Sequence, residues 1–164
     1  MDDERRAILR ARRAALRQHG EAAARAELSP VLEALDAAGA PYRLRSAGEP
    51  QARAPSWLAG EPGGAIAWER RPPDVWEHFA RDPAALQARA EAGAILLKRL
   101  APPDADVEVV FAGCALSLTL AADVAGRHLA AISAVPTSAA WLFSPGAEWL
   151  IELGRDGRLL AREG

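Results

Sequence analysis

The chain has 164 residues, with 20 basic and 22 acidic side chains and a formal net charge of -2. That length suits one domain, and the charge balance excludes a strongly basic nucleic-acid coat or a long acidic tail. Its single cysteine, Cys114, excludes an intramolecular disulfide and a multi-cysteine zinc cage.

No apolar run approaches the roughly eighteen residues that span a membrane. The opening MDDERRAILRARR lacks the apolar centre of a secretory signal, so the expected location is cytoplasmic. Half the residues are hydrophobic, but 39 of them are alanine, leaving 43 larger apolar side chains. These suffice for one core, and the expectation is one α+β domain over 1–164: a helical segment over 1–39, then mixed strands and helices over 40–164. Arginine outnumbers lysine 19 to 1, which composition bias alone explains.

The first predicted helix spans 3–18, with Asp2, Asp3 and Glu4 where the helix dipole favours negative charge. Arg6, Arg10, Arg13 and Arg17 recur at spacings of four, three and four along one face of it. Gly20 is read as a break. A second helical stretch runs over 21–38, with Ser29-Pro30 as a cap-plus-proline signal inside it and Gly39 as terminator. Leu28, Val31, Leu32 and Leu35 are expected to face inward. Alternation over 41–45 predicts a strand with one wet face, and 46–63 is the longest loop. A short strand is expected at 65–68. Asp74 is expected to cap a short helix holding Val75, Trp76 and Phe79. Asp82-Pro83 opens a helix reaching about Leu100.

Val107 to Phe111 reads as a strand. Leu116 to Leu120 alternates and would pair back through Gly113-Cys114, although Leu116, Leu120, Val124 and Leu129 also fit a helical face. Strand to about Ala121 and helix from Asp123 to about Ser133 is the preferred reading of the two. Three strands close the chain, Trp141–Phe143, Trp149–Leu153 and Arg158–Leu160, joined by Pro-Gly and Asp-Gly turns. An odd-length first loop would place Trp141, Phe143, Trp149, Ile151 and Leu153 on one face. Helices followed by a mostly antiparallel sheet that ends in a three-stranded meander define an α+β class.

Chemistry is harder to find. No phosphate-binding glycine motif occurs, and His19, His78 and His128 lack metal-ligand spacing. No catalytic set, metal centre or cofactor is predicted. Cys114 at a strand end, with His128 fourteen residues on, is a conceivable thiol dyad, but a lone cysteine among Val, Ala and Leu reads more plainly as a small buried hydrophobe. Glu148 and Glu152 on one strand would stand about 13 Å apart at ~3.3 Å per residue, too far for a glycosidase pair, and are expected to wet the outer sheet face. The arginine stripe reads first as a solvated face or a salt-bridged subunit contact. Trp57, in a Pro/Gly loop, and Trp76, near Arg70, Arg71 and His78, resemble the residues that dominate binding hot spots. Residues 101–164 carry a net -4, which suits a basic partner.

The leading expectation is a non-catalytic protein-binding module, of the immunity or antitoxin kind that masks a basic bacterial toxin. Its partner surface would comprise Trp57, Trp76, Arg70, Arg71, Glu148 and Glu152. The alternative is a small enzyme or small-molecule binder with a pocket under loop 46–63, drawing also on Trp68, His78, Cys114 and His128. Nucleic-acid binding through the arginine stripe ranks last, and no membrane partner is expected.

Overall fold

The computed structural model describes residues 2–46, 68, 72–135 and 139–164, with side chains from residue 5 onward. Helix α1 (Asp2–Glu27) runs straight through Gly20 into the body of the protein. The expected break is absent because an interior glycine only weakens a helix, by about 1 kcal/mol. Here it also lies where α1 crosses Ala115. Helix α2 (Ser29–Ala37) follows after Leu28, with Pro30 in its first turn and Val31, Leu32 and Leu35 buried. Gly39, at φ +59°, ends it, its N–H bonding back to the Asp36 carbonyl.

Among the described residues, seven strands form one antiparallel sheet: β1 (Arg43–Ser46), β2 (Val75–His78), β3 (Asp106–Phe111), β4 (Leu116–Ala121), β5 (Ala140–Phe143), β6 (Leu150–Leu153) and β7 (Arg158–Arg162). Their order across the sheet is β1-β4-β3-β5-β6-β7-β2. The α+β class read from the sequence is therefore the observed one, including the terminal β5–β6–β7 meander. Helix α3 (Pro83–Leu100) begins where the Asp82 carboxylate accepts from the Ala85 N–H at 2.9 Å. Two short helices, α4 (Ala122–Arg127) and α5 (Leu129–Ser133), follow β4 directly. The segment 116–133 is thus strand and then helix.

Register defines two distinct faces. One row of facing residues crosses all seven strands as Leu44, Leu118, Val109, Leu142, Ile151, Ala161 and Val75. The face that holds this apolar row receives the helices: Gly93 of α3 sits against Leu129 and Leu153, and Gly126 of α4 against Ala94. The next row, on the opposite face, runs Arg45, Ser117, Val110, Trp141, Glu152, Leu160 and Trp76.

Two expectations fail here. Residues 75–78 form an edge strand instead of an Asp74-capped helix. Backbone bonds from Asp74 N–H to the Ala161 carbonyl and from Phe79 N–H to the Gly157 carbonyl dock it on β7. Four residues containing Val and Trp cannot sustain a helix, whereas the open side of β7 supplies a ladder. The meander register also differs: Trp141 faces Glu152, and Leu142 faces Ile151. Trp141 and Phe143 therefore lie on the face opposite Ile151 and Leu153. The single-face pattern assumed an odd-length loop, whereas six residues separate Phe143 from Leu150. The expected strand at 65–68 lies outside the described residues except for Trp68, which sits in a turn.

The β6–β7 turn brings Gly157 to φ +93°, where an added Cβ would lie 2.2 Å from the Phe79 carbonyl oxygen. Only glycine permits both that dihedral angle and that approach.

Candidate functional site

The sheet face turned away from the helices gathers the polar groups. Glu108, in the middle of β3, is fully buried at 0 % exposure, and Thr119 on β4 faces it. The Thr119 hydroxyl donates to Glu108 Oε2 at 3.0 Å. Ser117 is equally buried, beside Arg45 on β1 and Val110 on β3. At the sheet's edge the Arg43 guanidinium meets the Asp106 carboxylate at 2.6 Å. Polar side chains at alternate positions of a strand ordinarily mark a solvent face. Glu108, Ser117 and Thr119 are buried instead.

Two strands away stands Glu152, 7 % exposed. Its Oε2 accepts from Trp68 Nε1 at 2.8 Å and from Trp141 Nε1 at 3.2 Å. Two indole N–H groups thus converge on one carboxylate oxygen. The expectation that Glu152 wets the sheet is corrected: the carboxylate is covered and hydrogen-bonded. Glu148 precedes β6 and is exposed.

The remaining expected site residues are scattered. Trp76 and His78 stand exposed on β2, with Trp76 63 % accessible. Trp57, Arg70 and Arg71 lie outside the described residues. Cys114 is buried in the β3–β4 connection, and burial pushes its thiol up despite the backbone N–H groups of Leu116 and Ala115. His128 is half-buried at the α4–α5 junction. No hydrogen bond joins Cys114 and His128 among the described residues. His78 is four strand positions from the β3 end that leads to Cys114, roughly 19 Å at ~4.8 Å per strand. Trp68, His78, Cys114 and His128 are therefore not brought together, because the sheet order separates elements that the sequence leaves free to meet.

The sequence reading also missed Glu108, Ser117, Thr119 and Arg45. Their only trace in the sequence is the alternation in VEVVF and LSLTL, which any half-buried strand also shows.

A second charged region surrounds the β6–β7 turn. A groove of about 450 Å³ is lined by Arg81, Arg155, Asp156 and Arg158, among others. Beneath it Arg89 of α3 is 2 % exposed and donates to the Gly154 and Ser133 carbonyls. Burial pulls its guanidinium down, with the Asp156 charge opposing. For Asp156 itself, burial acts to raise the carboxyl. Hydrogen bonds from Arg158 and its charge outweigh that and hold it below its usual range.

These features define a mixed α+β protein whose seven-stranded sheet buries an apolar face under helices and carries polar rows on the other. No known protein family, curated protein or solved structure matches the chain. No helix among the described residues is long and apolar enough to cross a membrane.

Proposed function

We propose that this chain is a protein-binding module that engages its partner along the β2 edge of the sheet. The observation that carries the reading is Trp76, 63 % exposed on the outermost strand of the described sheet. An edge strand offers backbone N–H and C=O groups to an incoming chain, and an exposed tryptophan offers a large anchor beside them. Glu77 and His78 flank it, both exposed. Acidic groups gather at the start of the strand: Asp74 accepts from the Glu163 backbone N–H at 2.8 Å, and Glu148 lies against Gly164. A basic partner, such as the toxin that an immunity or antitoxin-type protein masks, suits that end.

The test is capture from a bacterial lysate by the tagged chain and by its Trp76→Ala and Glu148→Arg variants. The reading expects one stoichiometric protein, lost with Trp76→Ala and weakened by Glu148→Arg. Equal capture by all three, or capture of nothing, overturns it.

The buried polar face favours a second reading, a small-molecule site over Glu108, Ser117 and Thr119. A ligand there would report through Trp141, which neighbours Val110 and Glu152. Ligand-induced change in tryptophan fluorescence that disappears in Thr119→Val supports it. No response across a metabolite panel removes it.

A further inference from the structure

A strongly charged feature is unconnected with the β2 edge. From Arg5 to Gly20 the chain contains six arginines and neither Asp nor Glu. With His neutral, this stretch carries +6 and leaves the rest of the chain at -8. The structure places the stretch on the part of α1 that stands clear of the body. Residues 5–19 are exposed apart from the half-buried Ala14, and the helix meets the body at Gly20 and Ala24. At ~1.5 Å per residue the exposed part projects about 22 Å.

Along it Arg10, Arg13 and Arg17 line one shallow groove together with Leu16. At ~100° per residue the three guanidiniums fall within an arc of about 60°, with axial steps of about 4.5 and 6 Å. Arg5 and Arg12 lie on the other side of Leu16.

We propose that α1 is a nucleic-acid-binding arm that lays its Arg10–Arg13–Arg17 face along the phosphates of a duplex. The positive charge is linear, closely spaced and carried on a rod. A nucleic-acid backbone complements it with one negative charge per ~1.7 Å of duplex axis. A helix about 10–12 Å across also matches the ~12 Å major groove of B-form DNA.

Other occupants fit less well. A protein interface centres on aromatic or large apolar anchors, and the exposed stretch has no aromatic residue and only Ile8, Leu9 and Leu16 as large apolar side chains. A lipid surface requires a broad apolar face, yet Ile8 lies well away from the Leu9–Leu16 line. A second copy of α1 would set arginine against arginine. In sequence, the acidic residues that flank the arm are Asp2, Asp3 and Glu4 before it and Glu21 after it. They limit the arm at its ends and leave its middle positive.

The experiment uses the full chain and a fluorescein-labelled 20-base-pair duplex, as DNA and as RNA, in anisotropy titrations between 50 and 200 mM NaCl. Three phosphate contacts predict a log-log salt slope near -3, a loss of about 40-fold in affinity over that range. The triple variant Arg10→Ala, Arg13→Ala, Arg17→Ala should lose at least about tenfold in affinity at 50 mM salt. The corresponding triple lysine variant should bind within a few-fold of wild type, because phosphate contact needs the charge. All three positions are exposed, so the substitutions should leave the fold intact, which circular dichroism of each variant checks. Absence of duplex binding at about 100 μM protein and 50 mM salt overturns the proposal. So does affinity unchanged by the alanine substitutions, or binding to phosphatidylserine vesicles without binding to either duplex.

Discussion

Trp141 and Glu152 face each other across β5 and β6, and the indole Nε1–H of one donates to the carboxylate of the other at 3.2 Å. Trp68 donates to the same oxygen from a turn 84 positions before Glu152. One carboxylate therefore ties a distant segment to the polar face of the sheet. Removing it in Glu152→Ala takes away the acceptor on which both indoles converge and should cost about 2–4 kcal/mol of unfolding free energy. Glu152→Gln keeps a carbonyl acceptor and should cost about 1 kcal/mol. Urea titration followed by tryptophan emission reads both. An alanine variant within about 0.5 kcal/mol of wild type would show that the paired indoles contribute nothing to stability.

Two helical glycines should respond oppositely to alanine. A Cβ at Gly93 would come within 2.6 Å of Leu129 Cδ2 and 3.6 Å of Leu153 Cδ2. Gly93→Ala should therefore destabilise by about 1–3 kcal/mol through overpacking. At Gly126 the nearest atom, Ala94 Cβ, is 3.9 Å away. There Gly126→Ala should stabilise by about 0.5–1 kcal/mol, the helix-propensity gain. Thermal melts of the two variants shifting in the same direction would contradict this account of the α3–α4 and α3–α5 contacts.

The buried Cys114 thiol should resist modification. Its folded-state pKa is raised, foremost by burial, so the thiolate is scarcer than in the unfolded chain near pH 8. Ellman's reagent should react slowly with native protein and rapidly in urea. A group whose pKa rises on folding adds stability that is complete below its unfolded value. That contribution is lost as pH climbs through the folded value. Stability should consequently fall above about pH 8.5, and Cys114→Ala should lessen that fall. Fast native labelling would overturn the reading of Cys114 as a core residue.

Asp156 gives the opposite pH dependence. Its carboxylate meets Arg158 Nε at 2.6 Å, in a pair roughly two-fifths exposed on each side. Its pKa is depressed on folding, so the stability it adds is present above the unfolded value near 3.9. That contribution is lost as pH falls through the folded value. Asp156→Asn should cost at most about 1 kcal/mol at pH 7, given the screening of an exposed pair. The gap between wild type and variant should close as pH is lowered from 5 to 3. A gap that persists to pH 2 would locate the effect in packing.

Much of the fold was legible in local chemistry. Asp82-Pro83 marked the start of α3, Gly39 the end of α2, and the Pro-Gly and Asp-Gly pairs the turns of the meander. Each is a short-range rule in which the residue and its neighbours carry the whole energy difference. Periodicity likewise placed Leu28, Val31, Leu32 and Leu35 in the core. The arginine stripe was equally plain, because helical spacing alone brings Arg10, Arg13 and Arg17 to one side.

Tertiary structure decided the rest. Val75–His78 became a strand because β7 had an open edge, and a backbone ladder outweighs the weak local preference of four residues. Glu108, Ser117 and Thr119 alternate with apolar residues as a wet strand face would, yet they are buried, because whether a sheet face is covered is not written in the alternation of the strand itself. Glu152 has the sequence pattern of a surface charge, and only register sets it opposite Trp141. That α1 projects beyond the body was also unreadable, since alanine-rich helices look alike whether or not something packs on them. Local signals determine what each segment can be. Long-range pairing determines which face of it meets water, and that choice separates a core position from a site.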